Sequence, residues 1–520
     1  MRIVLLALAA TTLLACATAT DGVEETDDAL TVGGVAALVQ QRLDVRHPSE
    51  RNRTWTITQG NAIPDDGILA MPALDAWGAR SLAAPPACSG ARCAPDFGLR
   101  TCAADADCGG ARCVALEATK AADDAPAAQV CAGHSDAILD EIRGVMTSAH
   151  HRLDVTSLAP PTGRFLATMR NAVTTLDRRG EAVVVRFLFA SYFNTKFDPA
   201  SVLADLTRDV SRSTRLVVSV ASHTGGLTTW NHSKIIAADG NEAIVGGMNL
   251  VDEHYLEAAP VHDVSLHVKG PVVTTMQTFA NDLWSTACRS QNDVATLGRG
   301  GACPAAFVPG AVSAAGNVQM IGVGRGGTSR DATITALVAM MDASRRSLRI
   351  TQQDIGSLKL PGGTLVTDYV DAWIRAARRG VNIQIVLSND GARGGSGTTD
   401  ADSYSNGWSR EELWRGIDRR ADEIWPDAHA RLCKNLHIST LRNAGKTTWA
   451  DGRPLANHAK VLIADDFAYY VGSQNMYAAN LAEYGVIVDS PAETKRFAAT
   501  FWEKVAATST EEPYVDASCR

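Results

Sequence analysis

The chain lacks most features that mark nucleic-acid-binding, membrane-spanning or metal-dependent proteins. Its formal net charge is −8, so it has no basic excess with which to grip a polyanion over a broad face. After residue 15, no apolar run is long enough to span a bilayer. The sequence also has no Cys-x2-Cys and no His-Glu-x-x-His pattern. We therefore expect no metal, no other cofactor and no nucleic-acid partner.

The N-terminus has the pattern of a processing segment. Arg2 precedes an apolar run that ends at Leu13-Leu14-Ala15-Cys16, which resembles a bacterial lipoprotein cleavage box. We assign residues 1–16 to a signal peptide and lipobox, with Cys16 lipidated, and residues 17–45 to a tether and N-terminal segment. The alternative is a plain signal peptide cut near Ala17 to Ala19, which would discard Cys16. Either way we predict export, as a periplasmic or cell-surface lipoprotein or as a secreted protein.

Cysteine usage fits an exported chain. Ten of the 11 cysteines remain after Cys16 is set aside, and an even number favours disulfides. Six lie in an insertion rich in Ala, Pro and Gly, residues 85–132: Cys88, Cys93, Cys102, Cys108, Cys113 and Cys131. Zinc is the rival reading of this cluster, but the spacing disfavours it. Cys288 and Cys303 bracket a Gly-rich loop and are expected to pair, which leaves Cys433 with Cys519.

Predicted strands and helices alternate along the chain, twice over. This alternation indicates an α/β fold with helices covering the sheets. We place a first lobe at residues 46–310, containing the insertion, and a second at residues 317–520, beyond a Pro/Gly/Ala-rich linker. Arg178-Arg179-Gly180 recurs as Arg378-Arg379-Gly380 at the same place in the unit. The sequence thus predicts two pseudo-symmetric α/β lobes with mixed sheets flanked by helices.

One short pattern also occurs twice, 226 residues apart. Between residues 231–249 and 457–475, 8 of 19 positions are identical at this offset. The shared positions include a His-x-Lys-x4-Asp pattern and a trailing Asn: His232, Lys234, Asp239 and Asn249 in the first copy, and His458, Lys460, Asp465 and Asn475 in the second. A single copy would most often be accidental, but two matched copies indicate function. We infer a single active site at the lobe interface, built from two half-sites.

This duplicated set suits a phosphodiester. On a strand, residues two apart point to the same side, so each motif would send an imidazole and an ammonium group into one cavity. Lysines and the amides of Asn249 and Asn475 would stabilise charge on the non-bridging oxygens. One histidine would attack phosphorus to give a phosphohistidine. The other would protonate the leaving alkoxide and then deprotonate the incoming water or alcohol.

Other candidates carry weaker signals. Asp239 and Asp465 complete the catalytic motif, but each also lies in an Asp-Gly or Asp-Asp turn context, so we expect a structural, hydrogen-bonding role for them. Trp230 adjoins the first motif, but such a residue more often lies in the core than binds a ligand. The histidines without a partner pattern are expected on the surface or in packing: His150, His151, His223, His254 and His262.

The paired motifs are those of the phospholipase D superfamily, and the chain resembles the secreted phospholipases D of actinomycetes in particular. The resemblance runs from about residue 50 to 519 and omits the cysteine cluster. It is carried by Trp230–Lys234, Leu283-Trp284 with Cys288, Thr351–Asp354, Ala450–Pro454, Asp465-Asp466 and Tyr470–Ser473.

The resemblance implies roles for individual residues. His232 would be the nucleophile and His458 the general acid/base, with Asn249 and Asn475 in contact with phosphate. Asp263 matches the carboxylate that orients the second-motif histidine and Glu483 the one that orients the first, so the pairing would cross between lobes. The pairs Gly246-Gly247 and Gly472-Ser473 resemble those of members that also transfer phosphatidyl groups to alcohols. Tyr404 aligns with a headgroup-side tyrosine, and Trp230 is the second substrate-loop candidate. Asn457 departs from a histidine that close relatives often carry.

The function expected from these residues is that of a metal-independent phospholipase D. It would cleave phosphatidylcholine-like lipids to phosphatidic acid and a free headgroup, as a monomer acting on a phospholipid membrane surface. The rivals are a phosphodiesterase or nuclease on the same scaffold, a synthase that joins two phospholipids, and a catalytically dead surface lipoprotein used for binding.

Overall fold

The computed structural model describes the core of both lobes and part of the insertion. The described residues are 34–74, 77, 102–108, 112–115, 129–132, 135–191, 196–223, 229–289, 294–298, 303–327, 331–356, 365–395, 403–405, 407–425 and 428–520. The predictions for Cys16, for residues 1–33 and for much of the insertion fall outside them.

Helices and strands alternate as predicted. The helices are α1 (Gly34–Arg46), α2 (Ala137–Thr147), α3 (Gly163–Arg179), α4 (Pro199–Leu206), α5 (Asp252–Tyr255), α6 (Val272–Ala287), α7 (Ala332–Ala343), α8 (Thr367–Arg378), α9 (Arg410–Ile424), α10 (Ala428–Asn435), α11 (Pro491–Phe497) and α12 (Glu503–Ser509). A π-helical turn, Ala498–Trp502, joins α11 to α12. Short 3-10 turns occur at Pro48–Glu50, Asp105–Cys108 and Ala517–Cys519.

The strands form two large sheets and one hairpin. They are β1 (Trp55–Asn61), β2 (Ile68–Met71), β3 (Arg112–Ala115), β4 (Gln129–Ala132), β5 (Arg152–Ser157), β6 (Val184–Ala190), β7 (Val217–His223), β8 (Ile235–Ala238), β9 (Glu242–Gly246), β10 (Asp263–Lys269), β11 (Val294–Leu297), β12 (Val318–Gly326), β13 (Ser347–Thr351), β14 (Asn382–Leu387), β15 (Leu436–Thr440), β16 (Val461–Ala464), β17 (Ala468–Gly472) and β18 (Ala482–Asp489). The hairpin β3-β4 lies in the cysteine-rich insertion.

The two eight-stranded sheets repeat one plan. The first has the order β11-β7-β6-β5-β8-β9-β10-β2 and the second the order β15-β14-β13-β16-β17-β18-β12-β1. In each, three strands are parallel (β5-β6-β7 and β13-β14-β15), and the strands on the motif side are antiparallel. Seven consecutive strands of one sheet therefore have counterparts in the other. The predicted mixed α/β fold with two pseudo-symmetric lobes is confirmed.

The N-terminal segment crosses to the second lobe. β1 is the edge strand of the second sheet, where Trp55 pairs with Val323 of β12. α1 packs against α7, and its first turn is held by Asp489, whose carboxylate accepts from the Ala36 amide at 3.0 Å. The segment that precedes the insertion thus supplies β1 to the second sheet and then β2 to the first sheet.

The repeated Arg-Arg-Gly ends two equivalent helices. Gly180 and Gly380, which follow α3 and α8, have φ of 70° and 84°, the left-handed conformation that glycine adopts at helix ends. Arg179 donates to main-chain carbonyls at the end of α2, and Arg379 to those at the end of α7. In each copy the glycine ends one helix and the second arginine caps the neighbouring helix, which accounts for the recurrence of the pattern.

The sheets meet across an apolar interface. Side chains of β9 and β10, such as Val245 and Leu266, lie in one fully buried cluster with those of β17 and β18, such as Val471 and Val486. Full burial of one such side chain contributes about 1.5–3 kcal/mol. Helix α6 packs in the same cluster and contacts strands of both sheets. The interface therefore holds both motifs in a fixed relation.

Three disulfides link described residues. Cys288 pairs with Cys303 and Cys433 with Cys519, as predicted, and Cys102 pairs with Cys113 inside the insertion. In the part of the chain that the structure describes, no helix combines the length and apolar character needed to cross a membrane.

Candidate active site

Each motif histidine lies just before its strand and is held by the opposite lobe. We expected His232 and Lys234 to lie on a strand, but β8 begins only at Ile235. The reason is that the preceding residues pair across the interface. The amide of His232 donates to the Ala482 carbonyl at 2.8 Å, and the Ala482 amide donates to the Trp230 carbonyl at 3.0 Å.

The second motif repeats this arrangement. The amide of His458 donates to the His262 carbonyl at 2.7 Å, and the His262 amide donates to the Ala456 carbonyl at 2.8 Å. The buried His262 ring stacks on Phe501 of the π-helical turn, with ring centroids 5.5 Å apart. His262 therefore positions His458 through its main chain, while its side chain packs.

The two motif histidines face each other. The ring centroids of His232 and His458 are 6.1 Å apart with an interplanar angle of 78°. Their side chains are only 6% and 3% exposed. Two imidazoles at this separation can flank one tetrahedral phosphorus.

A carboxylate from the opposite lobe orients each imidazole. His232 Nδ1 lies 2.9 Å from Glu483 Oε2, and His458 Nδ1 lies 2.7 Å from Asp263 Oδ2. Because a carboxylate accepts, each neutral ring carries its proton on Nδ1, and Nε2 on the far side of the ring is left as the nucleophilic or proton-transferring atom.

Both motif lysines are buried beside the histidines. Lys234 Nζ donates to the His232 carbonyl at 2.6 Å, and Lys460 Nζ donates to the His458 carbonyl. Each ammonium group is thereby anchored to the main chain of its own motif and retains further protons for an anion.

The trailing asparagines complete the ring of polar groups. Asn249 and Asn475 are 5% and 1% exposed. The Asn475 amide nitrogen donates to Tyr477 Oη at 2.9 Å. Among the described residues, neither Asn249 Oδ1 nor Asn475 Oδ1 has a hydrogen-bond partner.

The Gly-Gly and Gly-Ser turns make the half-sites unequal. A Cβ on Gly247 would lie 2.2 Å from Asp263 Oδ1, so only glycine leaves room for this carboxylate. At the equivalent position, Ser473 Oγ donates to Glu483 Oε2 at 2.5 Å. The position of Asp263 thus depends on the absence of a side chain at Gly247, whereas the position of Glu483 depends on the hydroxyl of Ser473.

Asp239 and Asp465 lie at the far ends of the motif strands. Asp239 accepts from the amides of His150, His151 and Arg152, and Asp465 from those of Arg345, Arg346 and Ser347, at 2.6–3.0 Å. Their φ values of 50° and 52° place both in the left-handed region of a tight turn. Although they belong to the motif that we grouped as catalytic, their carboxylates tie β8 to β5 and β16 to β13, and the main chain occupies them.

The substrate-loop candidates are placed differently. Tyr404 packs edge-on against His458, with ring centroids 5.0 Å apart, and its Oη lies 3.0 Å from His254 Nδ1. His254, which we expected on the surface or in packing, therefore belongs to the surroundings of the site. Trp230 takes part through its main chain, in the pairing with Ala482 described above.

Tyr255 is a site residue that sequence reasoning missed. Its hydroxyl donates to Asp263 Oδ2 at 3.0 Å and lies 3.0 Å from His458 Nδ1. It is brought there by α5, a single turn between Asn249 and Asp263. No spacing rule applied to one sequence marks a tyrosine in such a turn.

Burial dominates the electrostatics of the site. It lowers the pKa of His232 to about 4, with the charges of Lys234 and Lys460 acting in the same sense and Glu483 opposing them. Burial, reinforced by the same lysines, also lowers the pKa of His458 well below its usual value.

The lysines and one carboxylate respond to the same burial. The pKa of Lys234 falls to about 7 and that of Lys460 to about 8. Burial raises the pKa of Asp263 to about 7, against the attraction of Lys460. A neutral imidazole is the form that attacks phosphorus. In the empty site, burial disfavours the charged forms of the histidines and lysines, and an anionic ligand would stabilise those charged forms.

Comparison with known proteins finds a matching family model and a related sequence. The family model described as cardiolipin synthase, PLD-like domain, matches residues 337–505, which include the second motif. A phospholipase D from Streptomyces antibioticus is 28% identical over 416 residues, covering 69% of this chain and 74% of that protein.

Similar solved structures include two proteins at low identity. A phosphatidylserine synthase from Haemophilus influenzae Rd KW20 has a TM-score of 0.49 at 12% identity, covering 73% of this chain and 85% of that one. Nuc, a phospholipase D family member from Salmonella typhimurium, has a TM-score of 0.24 at 16% identity, covering 38% of this chain and 99% of that one. From the family match and the sequence relative, we conclude that this chain is a phospholipase D-type enzyme whose residues 337–505 match a PLD-like domain.

Proposed function

We propose that the enzyme is a metal-independent phospholipase D that hydrolyses the distal phosphodiester of phosphatidylcholine-like glycerophospholipids. The products are phosphatidic acid and the free headgroup. One observation carries this proposal: His232 and His458 face each other at 6.1 Å, and each is oriented by a carboxylate of the opposite lobe.

The first chemical step forms a phosphohistidine. His232 Nε2 attacks phosphorus, a P–N bond forms, and the P–O bond to the headgroup breaks. With the anionic phosphodiester bound, His458 acts as an imidazolium: its Nε2 proton goes to the leaving alkoxide, while its Nδ1 proton stays hydrogen-bonded to Asp263. Glu483 and Asp263 stabilise the positive charge that each ring carries in turn. The choice of His232 over His458 as nucleophile rests on the family resemblance, because both have similar surroundings.

The second step returns the enzyme to its starting state. His458 takes a proton from water or an alcohol, whose oxygen attacks phosphorus while the P–N bond to His232 breaks. Lys234 and Lys460, with Asn249 and Asn475, stabilise the charge on the non-bridging oxygens in both steps. These four groups supply the electrostatic stabilisation for which many phosphoryl-transfer enzymes use a metal ion.

The setting we propose is a phospholipid membrane surface outside the cytoplasm, with the enzyme acting as a monomer. The three disulfides among described residues support export, since disulfides persist in oxidising compartments. The net charge of −8 favours a lipid over a nucleic acid as substrate.

Phosphatidyl transfer to an alcohol is the second candidate activity. The matching family model is described as cardiolipin synthase, and the Gly-Gly and Gly-Ser turns resemble those of members that carry out transfer. Transfer uses the same phosphohistidine, with an alcohol in place of water in the second step.

Mass spectrometry of products from mixed phospholipid vesicles tests both activities. With EDTA present we expect phosphatidic acid and free headgroup, and with added ethanol also phosphatidylethanol. His232→Ala should abolish both products, and His151→Ala, at an exposed histidine, should leave them unchanged. Nicking of plasmid DNA without release of headgroup would contradict the lipid substrate, and a strict need for added metal would contradict the mechanism.

A further inference from the structure

A second cluster of chemically active side chains lies outside the motifs, where α10 is linked to the C-terminal segment. His429 and Cys433 are one turn apart on α10, so both side chains project from the same face. His429 Nε2 lies 3.4 Å from Cys433 Sγ, and Cys433 is bonded to Cys519, the penultimate residue. The potential ligand atoms of these three residues lie within 4.8 Å of one another.

The histidine of this cluster is oriented as a metal ligand would be. His429 Nδ1 lies 2.9 Å from Asp418 Oδ1 on α9. A carboxylate that accepts from one ring nitrogen fixes the tautomer and leaves the lone pair of the other nitrogen free to bind. Here that lone pair, on Nε2, is directed at the sulfur of Cys433.

The observed separation fits tetrahedral zinc. Zinc binds sulfur at about 2.3 Å and nitrogen at about 2.0 Å, which puts a sulfur and a nitrogen ligand of a tetrahedral site about 3.5 Å apart. The distance from His429 Nε2 to Cys433 Sγ, 3.4 Å, is close to this value. All three side chains are partly buried, within reach of solvent.

We propose that His429, Cys433 and Cys519 form a zinc site when the disulfide is reduced. A dithiol reductant attacks one sulfur and breaks the protein S–S bond. Closure of the reductant to its cyclic disulfide then releases the second sulfur, giving two protein thiols. Zn²⁺ replaces the two thiol protons and takes His429 Nε2 as its third ligand, with water as the fourth.

The site would hold the C-terminal segment in either redox state. Near its end, this segment pairs with β15, where the Tyr514 amide donates to the Ile438 carbonyl at 2.7 Å. The disulfide fixes the last residues to α10 in the oxidised protein. In the reduced chain, as it exists before oxidation, zinc would hold the same two elements together.

Zinc binding by the full-length protein tests the proposal. The protein is reduced with dithiothreitol, freed of reductant under anaerobic conditions and titrated with Zn²⁺ against a chromophoric chelator. Wild type should bind one equivalent more than the double variant Cys433→Ser/Cys519→Ser, which keeps every other cysteine. Titration with Co²⁺ should give a thiolate charge-transfer band that the double variant lacks.

Single variants show whether zinc is bound at this site or by cysteine thiols elsewhere in the chain. His429→Ala should weaken binding at this site at least 100-fold, and Asp418→Asn about 10–100-fold. Lys434→Ala, at an exposed position of the same helix, should not change it. Equal zinc uptake by wild type and the double variant would overturn the proposal, as would full binding by His429→Ala. Circular dichroism of each reduced protein confirms that the comparison is between folded chains.

Discussion

The contacts of single residues make the two halves of the active site unequal. Asp263 sits against Gly247 and accepts from Tyr255, whereas Glu483 accepts from Ser473. Duplication in the sequence predicted two equivalent half-sites, and the motif positions are indeed equivalent. Gly247 and Ser473 occupy matched positions of the duplicated stretch but differ in side chain, and Tyr255 lies outside it. The sequence therefore showed that the turns differ, but not which carboxylate each one contacts.

Gly247→Ser should inactivate the enzyme without unfolding it. The new Cβ would lie 2.2 Å from Asp263 Oδ1 and must push this carboxylate away from His458. We expect kcat to fall about 100-fold or more, since the misplacement of a reacting group by about 1 Å can have an effect of this size. Gly310→Ser is the matched control, because a Cβ there meets nothing within 4 Å. Normal activity of Gly247→Ser with an unchanged melting temperature would contradict the role of Asp263.

Tyr255→Phe should slow turnover while leaving substrate binding nearly intact. The hydroxyl shares Asp263 Oδ2 with His458, so its loss removes a donor that fixes the carboxylate. We expect kcat to fall about tenfold, as for the loss of an interaction that supports a charge developing in the transition state. Steady-state kinetics on a soluble short-chain phosphatidylcholine measure the effect. A change confined to KM would instead place Tyr255 in substrate binding.

At the level of strands and helices, the internal repeat explains sequence patterns that are not catalytic. Asp239 and Asp465 anchor equivalent turns, and Arg179 and Arg379 cap equivalent helices. Helix and strand periodicity predicted most of these elements. It did not predict that β1 joins the second sheet or that the first motif strand begins late, because both depend on pairing with residues far away in the chain.

Asp239→Asn should lower stability more than it lowers catalysis. The carboxylate accepts from three main-chain amides, and an amide side chain cannot replace all three. We expect a loss of about 1–3 kcal/mol of folding free energy, seen as a lower melting temperature by calorimetry. Turnover of the folded fraction should fall far less than in His232→Ala. Asp66→Asn, at an exposed position, is the control, and an unchanged melting temperature for Asp239→Asn would refute the anchoring role.

Considered as a whole, the molecule lowers the pKa values of its catalytic cations by burying them between two sheets. His232 titrates near 4, so it is neutral at any higher pH, whereas Lys234 and Lys460 titrate near 7 and 8 and lose their charge above those values. Such burial requires both lobes, and it could not be read from the motif residues alone.

The pH profile of kcat/KM should therefore be bell-shaped. In the free enzyme we expect activity to fall as pH drops through about 4, when His232 becomes protonated. It should fall again as pH rises through about 7 to 8, when the lysines become neutral and bind the phosphate less well. Rates on a soluble substrate between pH 3 and 10 check this, with circular dichroism to identify any acid unfolding. A profile that stays flat to pH 10 would contradict the lowered lysine pKa values.

The most direct measurement traps the covalent intermediate. His458→Ala should still react with the p-nitrophenyl ester of phosphatidic acid, whose leaving group needs no proton, but should hydrolyse the intermediate slowly. We expect p-nitrophenol release in a burst of one equivalent, and mass spectrometry after an alkaline quench should locate the phosphatidyl group on His232. The double variant His232→Ala/His458→Ala should show neither. A burst with the label on another residue, or rapid turnover without any labelled peptide, would contradict the claim that two histidines from opposite lobes act in turn on one phosphorus.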